Sequence, residues 1–120
     1  MSSFKDLIVY KKAYALAMDI FNISKSFPKE ETYSLTDQIR RSSRSVCANI
    51  AKAYRKRRYP AHFVSKSSDS DMENSETSVW LDFSFDCKYI SQSELNDLTE
   101  RNKEIGRLLG HMIENPEKYL

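Results

Sequence analysis

No glycine occurs before position 106, and prolines stand only at 28, 60 and 116. Tight β-turns draw heavily on these residues, so little room is left for the turns of an all-β fold. Phosphate-cradling loops and dinucleotide fingerprints need glycine for close backbone approach, so both are excluded. A proline breaks a helix interior but is tolerated in the first turn or just past an end. The three prolines therefore mark the borders of long helical stretches. At 120 residues, 40% of them hydrophobic and 30% charged, the chain can enclose one core, and one domain over 1–120 is expected.

Apolar spacing predicts an all-α, antiparallel up-down-up-down four-helix bundle, with helices over about 6–26, 34–57, 61–89 and 94–114. In the first, Ala13, Leu16, Ile20 and Ile23 step by three or four, and Ser3 with Asp6 gives a capping start. In the second, Leu35, Ile39, Val46, Ile50 and Ala53 form the buried stripe, and its many small residues permit close approach to neighbours. The third is interrupted over 65–78, where Met72 is the one strongly apolar residue. A loop there is the alternative to a helix, although a structureless stretch of that length is unusual in a compact domain. In the fourth, Leu95, Leu98, Asn102, Ile105, Leu109 and Met112 make a bundle seam, and Ser91 with Glu94 reads as a capping box. Gly106 and Gly110 read as points of close helix contact.

Reaction chemistry is hard to find. Cys47 and Cys87 fit neither a redox nor a zinc spacing, and His62 and His111 each stand alone. No catalytic residue, metal or cofactor is expected, and the chain is read as a non-enzyme. Lys11 and Lys12 interrupt the apolar run near the N-terminus. Neither a signal peptide nor a membrane span is expected, and a cytoplasmic protein is.

Charge order says more than the net charge of +2. Residues 38–68 hold nine basic side chains and no acid, while 69–86 hold six acids and no base. Antiparallel second and third helices around a turn near Tyr59 bring Arg41 level with Glu76 and Arg44 with Glu73. Inter-helix ion pairs among these four are expected, with Asn49 near Asp69, and they would fix register more than stability. Lys52, Arg55, Lys56, Arg57 and Arg58 are left over, with Tyr54 and Tyr59 flanking the run. Three readings fit it: phosphate contact with stacking rings, cations complementing a helix dipole or simply solvated, and a salt-bridge partner on another subunit.

The stretch 79–90 is apolar on more than one side. At about 100° per residue, Val79, Phe83, Cys87 and Ile90 share one side with Trp80 at its margin, and Leu81, Phe85 and Tyr89 share another. Such a helix needs cover beyond its own bundle, or else is the most central helix of it. Trp80, Leu81, Phe85 and Tyr89 are the candidate interface residues of a homo-oligomer.

The stretch FPKEETYSLTDQIRR (27–41), Ser45, ANIA (48–51) and Tyr54 together resemble the signature of the 23S ribosomal RNA intervening-sequence proteins, also called four helix bundle proteins. ENSETSVWLDF (73–83) with CKYI (87–90) is similar to the third helix of one branch, and FKDL (4–7) with VYKKA (9–13) also fits. The resemblance implies an antiparallel four-helix bundle, a ring-like pentamer and a link to RNA. A related family accompanies reverse transcriptases and binds nucleic acid through basic residues, so RNA or DNA is the implied partner. The alternative is an adaptor that meets a protein through the third helix. Many members have Glu-Gly after the Asn-Ile-Ala motif. Here Lys52 and Ala53 stand instead, which keeps the helix going and adds charge.

Overall fold

The computed structural model describes residues 3–120. Four helices make up the bundle: α1 (Ile8–Ile23), α2 (Asp37–Arg55), α3 (Pro60–Asp86) and α4 (Gln92–Glu114). Each packs on the next, α4 returns to α1, and no strand occurs among the described residues. The result is an all-α, up-down-up-down bundle of about 44 × 25 × 22 Å.

Local chemistry sets the borders. Pro60 opens α3 in its first turn, where a missing N–H costs nothing. The doubtful stretch 65–78 is helical throughout. α3 ends at Asp86, three residues before the expected end, and Lys88 takes the left-handed conformation (φ 67°) that turns the chain toward α4. Ser91 Oγ accepts from Glu94 N–H at 3.1 Å and Glu94 Oε1 accepts from Ser91 N–H at 2.8 Å, so the capping box forms and α4 begins at Gln92. Ser3 caps the short 3-10 turn Phe4–Asp6, not α1 itself. A π-helical turn, Thr32–Thr36, leads into α2, which therefore starts later than expected. Lys52 and Ala53 do continue α2, and Ala53 is fully buried.

The core is built from the expected stripes, with Leu16, Ile20, Ile39, Ile50, Ile105 and Leu109 among its most enclosed members. α3 departs from the pattern. Its inward face is Phe63, Ser67, Ser70, Asn74, Thr77, Leu81 and Ser84, while Met72, Val79 and Phe83 are 69%, 48% and 53% exposed. Between its two inward anchors, Phe63 and Leu81, the helix is thus small and polar inside, and it carries apolar side chains outside. Short inward side chains let α2 and α4 approach closely, and hydrogen bonds satisfy most of the polar groups so buried. Ser42 and Thr77 hydroxyls meet at 2.9 Å, and Ser70 Oγ donates to the Val46 carbonyl at 2.8 Å. Asn74 Nδ2 donates to the Asn102 carbonyl, and Asn102 Nδ2 donates to the Asn74 carbonyl and Oδ1, all within 3.0 Å.

Gly106 serves this seam: a Cβ there would lie 3.4 Å from Asn74 Nδ2. Gly110 does not, since nothing stands within 4 Å of its Cβ position, and the close-contact expectation fails there. Asn102→Ala removes two donated bonds and strands Asn74 Oδ1 in the interior. It should lower unfolding stability by about 2 kcal/mol, read as a lower denaturant midpoint at unchanged slope.

The register of α2 against α3 is close to the one charge order implies, because the Ser42–Thr77 and Val46–Ser70 contacts fall on either side of the expected Arg41–Glu76 and Arg44–Glu73 levels. The face differs. Among the described residues no ion pair joins Arg41 or Arg44 to Glu73 or Glu76. Small side chains occupy the contact line, which turns the arginines outward. Arg41 donates to Gln38 Oε1 at 3.1 Å, Arg44 lies 5.5 Å from the Phe21 ring, and Glu76 Oε2 accepts from Trp80 Nε1 at 3.1 Å. Asn49 donates to Ser45 and not to Asp69, whose partner is Lys66. The ion pairs that do cross helices join α1 to α4: Lys12–Glu104 at 3.3 Å and Asp19–Arg101 at 2.8 Å.

Candidate nucleic-acid interface

α2 buries one side and turns the opposite side to solvent. On that outer side stand Arg41, Arg44, Ala48, Lys52 and Arg55, spaced by three or four. Lys56 and Arg58 follow in the turn to α3, and both are exposed. No carboxylate lies within ion-pair distance of Lys52, Arg55, Lys56 or Arg58 among the described residues.

Arg57 is different. Its guanidinium packs 4.0 Å from the Tyr54 ring centre and donates to the Tyr54 carbonyl at 3.0 Å, so it closes the end of α2. Tyr54 itself is 3% exposed and belongs to the interior, so it cannot stack on a base as expected. Tyr59 can: it is 62% exposed, with Lys56 Nζ 5.8 Å from its ring and the His62 ring edge-on at 6.2 Å. Sequence reasoning missed His62 as part of this corner, although its position one turn after Tyr59 was a usable signal.

Nearer the start of α2, Arg40 is tied inward, donating to Ser24 Oγ at 2.8 Å over the Phe21 ring. Arg41 and Arg44 line an open groove of about 710 Å³ with the exposed Tyr33.

The expected subunit-interface residues divide. Leu81 is 1% exposed and enclosed by its own bundle, so it is no interface residue. Trp80, Phe85 and Tyr89 are half-buried against the core. Tyr89 also donates to Glu31 Oε2 at 2.8 Å, a bond that pushes its hydroxyl pKa up to about 12. The side that contains Val79 and Phe83 is the open one.

Burial pushes the Cys47 thiol up to about 11, and its Sγ lies 3.9 Å from the Ser43 carbonyl. His111 Nδ1 is engaged by the Tyr119 hydroxyl at 2.8 Å. Among the described residues no three His, Cys, Asp or Glu side chains converge as a metal site, and no helix is long and apolar enough to cross a membrane.

Comparison with known proteins places this geometry. The family model described as 23S rRNA-intervening sequence protein matches residues 5–111. The chain belongs to that family. Its match takes in α1, α2 and α3 whole, the turn at 56–59 and α4 as far as His111. A crystal structure from the S23 ribosomal protein family, of a protein with unknown function from Bacteroides thetaiotaomicron VPI-5482, superposes with a TM-score of 0.82 at 30% identity. The likeness covers 92% of this chain and 98% of that one. No curated protein matches. The 23S rRNA-intervening sequence family and its solved relative thus share the bundle, and that relative's function is unknown.

Proposed function

We propose that this chain is a non-enzymatic, oligomeric protein that binds RNA, or nucleic acid more generally, at the end of α2 and the turn that follows. The observation that carries this reading is the corner where Lys52, Arg55, Lys56 and Arg58 stand exposed without carboxylate partners beside the exposed rings of Tyr59 and His62. Phosphates take the cations, and an unpaired base stacks on Tyr59. Cations near a helix C-terminus also complement its dipole, at about 0.3–1 kcal/mol each, but that accounts for the last turn and not for Arg58 beyond it. The family's name, 23S rRNA-intervening sequence protein, supports RNA as the partner. The resemblance supports a pentamer, in which each subunit would repeat the basic corner.

The test is a titration against structured RNA, single strands and duplex DNA at several salt concentrations. Four neutralised phosphates per site predict a log–log slope of about −3 to −4. Absent binding to all three, or binding indifferent to salt, overturns the reading. A second reading, an adaptor for another protein, is favoured by the exposed Val79 and Phe83 on α3.

A further inference from the structure

Two surfaces remain without partners, and they match. The first is the outer stripe of α3. Met72, Val79 and Phe83 lie along it at helical spacing, and each is about half exposed or more. Glu73, Glu76, Asp82 and Asp86 flank it, in a stretch with no base. Trp80 Nε1 holds Glu76 in place, and the Trp80 ring lies 5.9 Å from that of Phe83. The second surface is a groove of about 380 Å³ between α1 and α2. Tyr14, Met18 and Ala48 are exposed along it, and Cys47 and Ala17 form its floor. Arg44 stands on its rim, with Arg41 one turn away on the same outer side of α2.

One surface is a convex apolar ridge edged with acids. The other is an apolar hollow edged with arginines. Neither finds its complement inside the bundle, and the ion pairs that charge order implies between α2 and α3 do not form within one chain. We propose that they form between chains: the α3 stripe of one copy (Met72, Val79, Phe83) seats in the α1–α2 groove of a second copy (Tyr14, Met18, Ala48), with Glu73 and Glu76 facing Arg41 and Arg44.

The pairing is heterologous, since the two surfaces differ, so each subunit offers one ridge and one hollow and the copies follow head to tail. Like charges would meet in a ridge-to-ridge contact, which selects against the isologous alternative. Lys52 and Arg55 lie further along α2, Lys56 and Arg58 lie in the turn after it, and all four stay open for nucleic acid. The proposal names the subunit contact of the oligomer proposed above and rests on that reading.

Heterologous pairing has a signature that an isologous one lacks. A ridge variant, Val79→Asp with Phe83→Asp, keeps its hollow. A hollow variant, Met18→Glu with Ala48→Glu, keeps its ridge. All four positions are exposed, so folding should be retained, and circular dichroism checks that. Sedimentation of the full chain, at high protein concentration and without nucleic acid, should give an assembly for wild type and a monomer for each variant. Their equimolar mixture should form a heterodimer that grows no further. If either variant assembles as wild type does, or if the mixture stays monomeric, this pairing is wrong while the oligomeric reading stands. A monomeric wild type would overturn both. In a separate arm, Arg41→Glu with Arg44→Glu should also give a monomer. If it assembles normally and instead loses RNA binding, those arginines face nucleic acid and the charge pairing is overturned.

Discussion

Changing Lys52, Arg55, Lys56 and Arg58 together to serine should weaken RNA binding on the order of 100- to 1000-fold at about 0.1 M salt, and flatten the salt slope by about three to four. The effect is large because each contact releases a condensed counterion, and those terms add. Arg57 is left in place on purpose. Its guanidinium covers Tyr54 and bonds the Tyr54 carbonyl, so it holds the end of α2. Arg57→Ser alone should lower stability by about 1 kcal/mol while binding changes little. The quadruple variant should stay folded and lose about 1–3 kcal/mol, the helix-dipole contribution of Lys52, Arg55 and Lys56 at the end of α2. Circular dichroism melts and filter-binding titrations read the two quantities separately. A quadruple variant that binds as wild type does would remove the α2 end from consideration as the nucleic-acid surface.

The largest stability loss should come from Phe63→Ala. Phe63 has no exposed surface and sits in the first turns of α3, stacked on Tyr119 with ring centres 5.4 Å apart. Its removal opens a cavity between α3 and the C-terminal 3-10 turn Pro116–Tyr119. The expected cost is about 3–5 kcal/mol, a sizeable part of the roughly 5–15 kcal/mol that holds a domain together. Phe63→Leu, which keeps most of the volume, should cost less than about 1.5 kcal/mol. Phe83→Ala, on the outer side of the same helix, should leave monomer stability within about 0.5 kcal/mol. Chemical denaturation of the three variants orders them, and equal losses at 63 and 83 would contradict the packing described for α3.

Much of the fold is legible in the sequence because spacing and capping are local. Leu98, Ile105, Leu109 and Met112 had one apolar side to offer and were buried on it. The Ser91–Glu94 box needs no neighbour to be recognised. α3 defeats the same logic. Its inward residues Ser67, Ser70, Asn74 and Thr77 are polar, so hydrophobicity gives no sign of which side turns in. What decides it is a seam of inter-helix hydrogen bonds, above all Asn74 with Asn102, and partners so distant along the chain leave no periodic trace. That is why Leu81 was expected outside and Phe83 proves to be the open one. The basic run was visible as charge, but its division was not: Arg57 turns back on Tyr54 because Tyr54 is buried, a tertiary fact. The register between α2 and α3 was readable from charge order, and only the choice of face was lost.

A helix that closes its polar contacts within the bundle and still leaves some apolar side chains outside is finished before it meets anything. The stability of each unit then comes from its own interior, and association is a separate equilibrium governed by concentration. From the proposed assembly, dilution should release intact bundles, not unfolded chains. Units of the proposed assembly should also trade places, so a cell that makes two versions of such a chain would populate mixed assemblies.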